Sequence, residues 1–283
     1  MSFICRIAEM NRGSYYAWLK RPASKREQQS ATLLEKIKVV HSQSKGIYGV
    51  PRVTAQLHLE GQKCGRNRIA HLMRKEGLFG CARRKFRPVS TTDSNHNLPI
   101  APRVFKVEEE ETFPSGANQV WVGDQTYIAT QEGWLYLTTV MDVFNRKVVG
   151  NYMSDHLRSE TVWKALKMGI QNEKEALDPG QKPTLIYHSD RGSQYASEYY
   201  RQKLALLGVT QSMSRSGNCY DNAYAESFFH TLKVELVHRR KFTTRAEAQR
   251  EIEEYINWYN SIRLHSSLGY QTPMHYKGEA VAA

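Results

Sequence analysis

The sequence predicts an α/β protein with one mixed sheet and helices on both faces, preceded by a small all-α domain. Runs of β-branched and aromatic residues with short connections begin near residue 119, and helical patterns follow them. The first 80 residues contain only helical patterns. We therefore expect a helical domain over residues 1–80, a linker over 81–118, an α/β domain over 119–265 and a C-terminal tail over 266–283.

Positive charge is concentrated in the first third of the chain. The 283 residues carry a formal net charge of +12. Residues 1–100 hold 19 Lys and Arg against 6 Asp and Glu, a balance of +13, and the remaining residues hold 21 against 22, a balance of −1. Such a local excess predicts a polyanionic partner rather than a merely solvated surface.

The helical region contains a candidate DNA-binding pair. Residues 51–59 and 66–77 predict two short helices joined by the glycine-containing turn 61–65. Apolar residues at helical spacing form one face of the second helix. Its polar face would carry the side chains that we expect to contact DNA: Arg66, Asn67, Arg68, His71, Arg74 and Lys75. The pair suggests a helix-turn-helix-like domain, and an ordinary helical hairpin with a basic solvent face is the alternative.

Composition also excludes several classes of protein. No apolar run approaches the roughly 18 residues needed to cross a bilayer, so we expect no membrane partner. The four cysteines are scattered, without the spacing of a zinc knuckle or a disulfide framework. This usage predicts a cytoplasmic protein in a reducing compartment.

The order of elements after residue 119 specifies a topology. Strands are predicted at 119–130, 133–144, 147–155, 184–189 and 208–214, and helices at 158–174, 197–207, 221–238 and 244–260. Two-residue connections between the first three strands indicate antiparallel hairpins. Three strands followed by alternating helices and strands is the order of the ribonuclease H-like fold. In that fold strand 1 lies beside strand 4, which predicts the sheet order 3-2-1-4-5.

Three acidic residues occupy special places in this topology. Asp124 lies in strand 1, Asp190 ends strand 4, and Glu226 lies in the helix after strand 5. Neighbouring strands would bring the two aspartates together, where they repel each other unless a cation neutralises both. Oxygen ligands select a hard divalent ion such as Mg²⁺. Taken singly, the three acids are also explained as a strand polar residue, a turn residue and a helix-surface charge.

The helix that carries Glu226 contributes two further candidates. Asn222, Glu226 and Lys233 are spaced four and then seven residues apart, which predicts one shared helical face. Lys233 would bind a DNA phosphate. Asn222 would either support the metal ligands from behind or cap the start of the helix.

The spacing and the surrounding motifs resemble a known family. There are 35 residues between Asp190 and Glu226 (226 − 190 − 1), and Lys233 follows seven residues later. The stretches HSDRGSQY, SRSGNCYDNAYAESFFHTLK and YINWYNSIRLHSSLGYQTP closely resemble the DDE transposase and retroviral integrase superfamily. They are most similar to the second-frame product of bacterial insertion-sequence transposases encoded in two reading frames. GIYGVPRVTAQLHLEGQKCGRNRIAHLMRKEGL is similar to the helix-turn-helix-like segment of that family.

This resemblance implies Mg²⁺-dependent DNA cleavage and strand transfer by a two-metal mechanism, with Mn²⁺ as a possible substitute. Asp124, Asp190 and Glu226 would be the catalytic residues and the ligands of two metal ions. The implied partners are double-stranded DNA of the element ends and the target, further copies of the chain on that DNA, and the upstream-frame product or a fusion with it. The implied location is the bacterial cytoplasm, at the nucleoid. A non-catalytic DNA-binding regulator of transposition and a ribonuclease H-like nuclease are the alternatives.

Overall fold

The chain forms two compact units, Met1–Gly80 and Cys81–Ala283. The computed structural model describes residues 2–7, 10–81, 96–106, 109, 113–174, 185–215 and 222–278. Half of the predicted linker 81–118, the loop before the helix of Glu226, and the last five residues of the predicted tail 266–283 lie outside the described residues. Each unit is described by itself.

The first unit is helical, as the sequence predicts. Its helices are α1 (Ser2–Ile7), α2 (Arg12–Lys20), α3 (Lys25–Gln43), α4 (Val50–Leu59) and α5 (Arg66–Lys75). Helix α3 begins at a capping box, in which Ser24 Oγ accepts from the Glu27 N–H and the Glu27 carboxylate accepts from the Ser24 N–H. Gly61, at a φ of 76°, opens the α4–α5 turn in a conformation that favours glycine. The predicted helical pair is therefore present.

Helix α3 packs against both α4 and α5. The sequence analysis did not predict this helix individually. Its buried residues pack with those of α4 and α5. The shared core consists of Leu33, Ile37, Val40, Val53, Leu57, Ile69, Leu72 and Met73. The apolar stripe predicted for the second helix of the pair thus faces α3 and α4, and its polar side chains remain for solvent or a ligand.

The second unit contains one five-stranded mixed sheet. Its strands are β1 (Val120–Thr130), β2 (Gly133–Asp142), β3 (Val148–Ser154), β4 (Ile186–Ser189) and β5 (Thr210–Met213). Their order is β3-β2-β1-β4-β5. The pairs β1–β2 and β2–β3 are antiparallel, and β1–β4 and β4–β5 are parallel. The predicted order and the predicted adjacency of strands 1 and 4 are confirmed.

Helices cover both faces of this sheet. They are α6 (Ser159–Asn172), α7 (Ser193–Ala196), α8 (Glu198–Leu207), α9 (Ala223–Glu235) and α10 (Arg245–Ser261). Consecutive residues of β1 point to opposite faces, so Trp121 packs with α6 and α8 while Val122 packs with α9 and α10. Among the described residues, no helix is long and apolar enough to cross a membrane.

Two predicted elements differ from the observed ones. The helix predicted over 221–238 ends at Glu235, and a separate 3-10 turn covers Val237–Arg239. Helix α7 was not predicted, because a four-residue helix is too short to show an apolar period. The other strands and helices of this unit begin and end within three residues of the predicted bounds.

Candidate active site

The register of the parallel pair β1–β4 places two acidic residues side by side. Gly123 is the last residue of β1 that pairs with β4, and its partner Ser189 is the last residue of β4. The next residues along the two strands are Asp124 and Asp190. Because the strands are parallel, both carboxylates follow at the same edge, where ligands of α/β proteins commonly bind.

Gly123 is required for this arrangement. A Cβ atom on Gly123 would overlap the hydroxyl group of Tyr187, the β4 residue that packs beneath it. Tyr187 is fully buried and packs with the rings of Tyr195 and Tyr200. The glycine thus lets an aromatic cluster support the strand immediately before Asp124.

The negative charges around Asp124 are only partly neutralised by neighbouring positive charge. Burial and the charge of Asp190 raise the pKa of Asp124 well above its usual value of 3.8, and Glu226 raises it further. The backbone N–H of Gln125, which donates to Asp124 Oδ1 at 2.8 Å, and the Lys233 ammonium both act in the opposite direction. The pKa of Asp124 is raised overall, so without a cation the site favours the protonated carboxyl group. A bound cation would relieve the same repulsion.

Helix α9 brings Glu226 and Lys233 into the electrostatic range of the aspartates. Glu226 lies in the first turn of α9, and partial burial and the charge of Asp190 raise its pKa. Lys233 lies two turns later, half-buried, with Nζ 5.1 Å from the centre of the Tyr127 ring. Burial lowers the pKa of Lys233, whereas the charge of Asp124 raises it. Asp190 and Glu226 therefore both act on the pKa of Asp124, and Asp190 also acts on that of Glu226.

The two aspartates line one open cleft. Its lining residues are Asp124, Gln125, Thr126, Tyr127, Tyr136, Leu157, Asp190, Gly192, Gln194 and Tyr195. Glu226 and Lys233 lie outside this lining. The sequence analysis did not identify Gln125, Tyr136, Leu157 or Gln194, because nothing in their local pattern distinguishes them from ordinary strand, turn and helix residues.

The oxygen atoms are not arranged as a closed metal site. Within the described residues, no three Asp, Glu, His or Cys side chains lie close enough together to hold a metal ion as they are placed. Asp124 Oδ1 accepts from the N–H of Gln125, and Asp190 Oδ1 accepts from the N–H of Gly192 at 2.9 Å. A donor set made only of carboxylate oxygens nevertheless suits a hard divalent cation.

Asn222 adds an unsatisfied oxygen near the same strand. It is 5% exposed and lies immediately before α9, where its Nδ2 donates to the carbonyl of Gly123 at 3.4 Å. Among the described residues, its buried Oδ1 has no hydrogen-bond partner, which is unusual for a polar atom and fits a cation-bound water or a similar donor. The side chain makes no helix-capping hydrogen bond.

The expectation that Asn222, Glu226 and Lys233 share one helical face was wrong for Asn222. Helix α9 begins at Ala223, and Asn222 has a φ of −114° and a ψ of 21°, so helical spacing does not extend to it. Asn222 points into the protein toward β1, whereas Glu226 is exposed.

The buried tyrosines beneath the cleft are poor nucleophiles. Burial raises the pKa of Tyr187, Tyr195 and Tyr200. Tyr195, which lines the cleft, is 2% exposed and therefore has little contact with any molecule in it. Chemistry through a covalent tyrosine–DNA bond is not favoured at this site.

In the first unit, α5 displays most of the predicted DNA-contacting residues. Arg66, Asn67, His71, Arg74 and Lys75 are exposed. Arg68 differs, because it is half-buried and its guanidinium donates to Ser30 Oγ of α3 at 3.0 Å. The sequence placed Arg68 on the outer face, but the packing of α3 against α5 draws it inward.

Removing the charge of Asp124 should stabilise the metal-free protein. A folded-state pKa above the unfolded one means that folding binds a proton, so stability falls as pH rises from the usual value of 3.8 through the raised one. In the presence of a chelator, Asp124→Asn should therefore melt above wild type near about pH 8, by about 2–4 °C for each kcal/mol relieved, and the difference should vanish near about pH 4.

The matched control is Asp155→Asn, because Asp155 is an exposed aspartate of the same unit. It should change the melting temperature little at either pH. Addition of Mg²⁺ should raise the melting temperature of wild type more than that of Asp124→Asn. An Asp124→Asn variant that melts below wild type at every pH would show that the carboxylate is not under repulsion.

Comparison with protein families confirms the expected resemblance. The integrase core domain family matches residues 114–219, and a second integrase core domain family matches residues 207–273. A family of HTH-like domains matches residues 28–86, which contain most of α3 and all of α4 and α5.

Curated relatives match nearly the full length of the chain. The chain is 42% identical over 277 residues to an insertion element IS600 31 kDa protein of Shigella sonnei, covering 97% of each. It is 36% identical over 282 residues to the transposase InsF of insertion sequence IS3A of Escherichia coli, covering 99% of this chain and 94% of the relative. It is 40% identical over 262 residues to a transposase of element IS904 of Lactococcus lactis, covering 92% and 98%.

Solved structures of retroviral integrases align with lower similarity. The catalytic core domain of HTLV-2 integrase is 14% identical and aligns with a TM-score of 0.45, covering 59% of this chain and 100% of that one. A chain in the structure of a simian T-cell lymphotropic virus intasome with PP2A regulatory subunit B56 gamma is 12% identical and aligns with a TM-score of 0.47, covering 88% of this chain and 76% of that one.

Proposed function

Because the chain belongs to the insertion-sequence transposases that carry an integrase core domain, we propose that it cuts and joins DNA strands at the ends of an insertion element with the help of divalent metal ions. The observation that supports this most directly is the register of β1 and β4, in which Asp124 and Asp190 each follow the last residue pair of the two strands. Glu226 of α9 lies near enough to raise the pKa of Asp124, so all three acids act on one place.

The proposed residues act by binding and orientation. Asp124, Asp190 and Glu226 would hold two Mg²⁺ ions, for which Mn²⁺ can substitute. These ions supply activation of the attacking oxygen and charge stabilisation of the departing one during in-line displacement at phosphorus. The attacking oxygen comes from water or from a DNA 3′-hydroxyl group, and the 3′ oxygen of the cleaved strand departs. No covalent bond between protein and DNA forms.

Neighbouring groups position the three carboxylates. The N–H groups of Gln125 and Gly192 hold the two aspartates in defined orientations. Asn222 joins the start of α9 to the carbonyl of Gly123, so the helix of Glu226 and the strand of Asp124 move together. Lys233 lies two turns after Glu226 on α9, and we propose that its ammonium group binds a DNA phosphate.

The excess positive charge lies in the first third of the chain, and this favours DNA binding by the first unit. We propose that residues 1–80 bind DNA through the exposed basic face of α5, with residues 81–118 as the linker and 119–265 as the catalytic domain. Arg66, Asn67, His71, Arg74 and Lys75 are exposed for this purpose, and Arg68 would support the helix from its contact with Ser30. Binding through such residues should weaken steeply with salt.

Transposition joins two element ends, so we propose that more than one copy of the chain assembles on DNA. We also propose that the upstream-frame product, alone or fused to this chain, contributes to the recognition of the ends. A gel-shift assay with labelled element ends tests this directly. Fusion should bind the ends more tightly than the chain alone, and equal affinity would remove the upstream product from the proposal.

The proposed activity is tested by incubating the chain, alone and fused, with Mg²⁺ or Mn²⁺ and labelled duplexes that carry the element ends. Joined strands are expected, and a chelator should abolish them. Cleavage without joining would instead identify a ribonuclease H-like nuclease. Binding without cleavage in either metal, by chain and fusion alike, would identify a non-catalytic regulator.

A further inference from the structure

The β1–β2 hairpin extends beyond the rest of the sheet. Strand β4 pairs with Val120–Gly123 alone, and β3 ends its pairing with β2 at Tyr136. Within the described residues, the outer part of the hairpin meets other strand-like backbone only at the isolated bridge between Thr130 and Phe242. The hairpin therefore projects past the other strands from the edge that carries Asp124.

One face of this projection is covered and the other is aromatic. Ile128, Leu135 and Leu137 lie in the hydrophobic core beside α9 and α10. The alternate residues, Tyr127, Trp134 and Tyr136, lie on the opposite face. We call these three side chains the aromatic strip. Tyr127 and Tyr136 oppose each other across the hairpin, and the Trp134 ring centre is 4.8 Å from that of Tyr127.

The aromatic strip is continuous with the catalytic cleft. Tyr127 and Tyr136 line the same cleft as Asp124 and Asp190. Trp134 follows at the outer end and is 49% exposed, a large value for a tryptophan that packs against another ring. Because the strip and the aspartates line one cleft, a strand bound with its phosphate at the aspartates is within reach of the strip.

The charges around the strip favour a nucleic acid strand. Lys233 Nζ lies 5.1 Å from the centre of the Tyr127 ring, and Arg245 Nε donates to the Trp134 carbonyl at 3.0 Å. The nearby Glu132 carboxylate accepts from the backbone N–H of Arg245 at 2.8 Å. Exposed rings beside cations are the usual means of holding single strands, because every base has a face that can stack and every nucleotide has a phosphate.

We propose that the aromatic strip stacks one or more unpaired bases of the DNA strand whose phosphate lies at Asp124 and Asp190. This inference rests on the proposed function, since it concerns the DNA bound at that site. Bases inside a duplex already stack on their neighbours, so a ring of the strip can reach a base face only when that base leaves the helix. The element end would thus be locally unpaired next to the reacting phosphate.

Cross-linking tests this proposal without requiring catalysis. Element-end duplexes that carry 5-iodouracil at successive positions around the cut are bound to the full chain in a chelator and irradiated. Cross-links from one or two positions to the peptides containing Tyr127, Trp134 or Tyr136 are expected. Their absence in a protein that joins strands would overturn the aromatic strip alone. Cross-linking by a wild type that joins nothing would overturn the proposed function and leave the strip intact.

A cycle of protein and DNA changes separates stacking from a structural role. Trp134→Ala should lower the rate of strand joining about tenfold on intact ends. On ends made abasic at the cross-linked nucleotide, the same variant should cause no further loss, because there is no base to stack. Trp134→Phe should retain most of the rate. Tyr199→Ala, at an exposed aromatic residue of α8, is the matched control and should match wild type.

Equal losses on intact and abasic ends would show that Trp134 acts through structure, and the stacking proposal would be withdrawn. A Trp134→Ala variant that joins intact ends at the wild-type rate would have the same consequence. If Trp134→Ala instead lowers the oligomeric state and no cross-link reaches the strip in wild type, the strip is a protein contact and not a DNA site. Melting curves of each variant establish that the fold is retained.

Discussion

Replacement of Glu226 by Gln is expected to abolish strand joining while leaving DNA binding intact. The change removes one charged ligand with almost no change in shape, so the rate of joining should fall on the order of 10²–10³-fold or more. Glu226 is exposed, so the variant should fold normally. Because burial and Asp190 raise the pKa of Glu226, loss of its charge should not destabilise the metal-free protein. Single-turnover joining assays and gel shifts measure the two properties separately.

Glu253→Gln is the matched control, since Glu253 is an exposed glutamate on α10. It removes the same charge from the same unit and should join strands at the wild-type rate. Asp124→Asn and Asp190→Asn should each resemble Glu226→Gln. Mg²⁺-dependent joining by Glu226→Gln at the wild-type rate would remove Glu226 from the catalytic site.

Replacement of Arg263 by Met is expected to destabilise the second unit by about 3–5 kcal/mol, which corresponds to about 6–20 °C in melting temperature. Arg263 donates from Nε and Nη2 to the two carboxylate oxygens of Glu235, at 2.8 and 2.7 Å. The Tyr255 hydroxyl donates to the same carboxylate at 2.8 Å. Both charged side chains are buried, so removing the guanidinium takes two charge-assisted hydrogen bonds from a buried carboxylate.

The pairing with Glu235 favours the charged form of Arg263. Burial alone would lower the pKa of Arg263, but the hydrogen bonds and charge of Glu235 raise it above the usual value. Arg263→Lys should recover only part of the lost stability, because an ammonium group cannot reproduce the two-pronged contact. Replacing both partners, as in Glu235→Met with Arg263→Met, should be far milder than either single change.

Tryptophan fluorescence during urea unfolding measures these changes well. Four of the five tryptophans, Trp121, Trp134, Trp163 and Trp258, lie in the second unit. Lys164→Gln, which removes the exposed ion pair with Glu160, is the matched control and should have little effect. If Arg263→Met unfolds at the wild-type urea concentration, the buried pair does not stabilise the unit.

Much of the second unit could be predicted from the sequence because its strands and helices have clear apolar periods. The adjacency of Asp124 and Asp190 followed from strand order, and strand order followed from the sequence of elements. The bounds of α9 were less predictable. The residue Asn222 has the spacing of a helical residue relative to Glu226, but its backbone is not helical.

Features that depend on tertiary contacts could not be predicted. The contact of Arg68 with Ser30 joins residues 38 apart, and the pair of Glu235 and Arg263 joins residues 28 apart. A buried arginine looks the same in a sequence as an exposed one, and only the carboxylate that it meets reveals its role.

The pairing of Glu235 with Arg263 has a consequence for damaged copies of the gene. Arg263 lies 37 positions after Glu226 (263 − 226), yet it secures the far end of the helix on which Glu226 is carried. A premature stop codon at any position from 227 to 263 would spare every acid of the candidate site and still release that helix from its anchor. Element copies with such a stop codon should therefore encode inactive proteins rather than truncated but active enzymes.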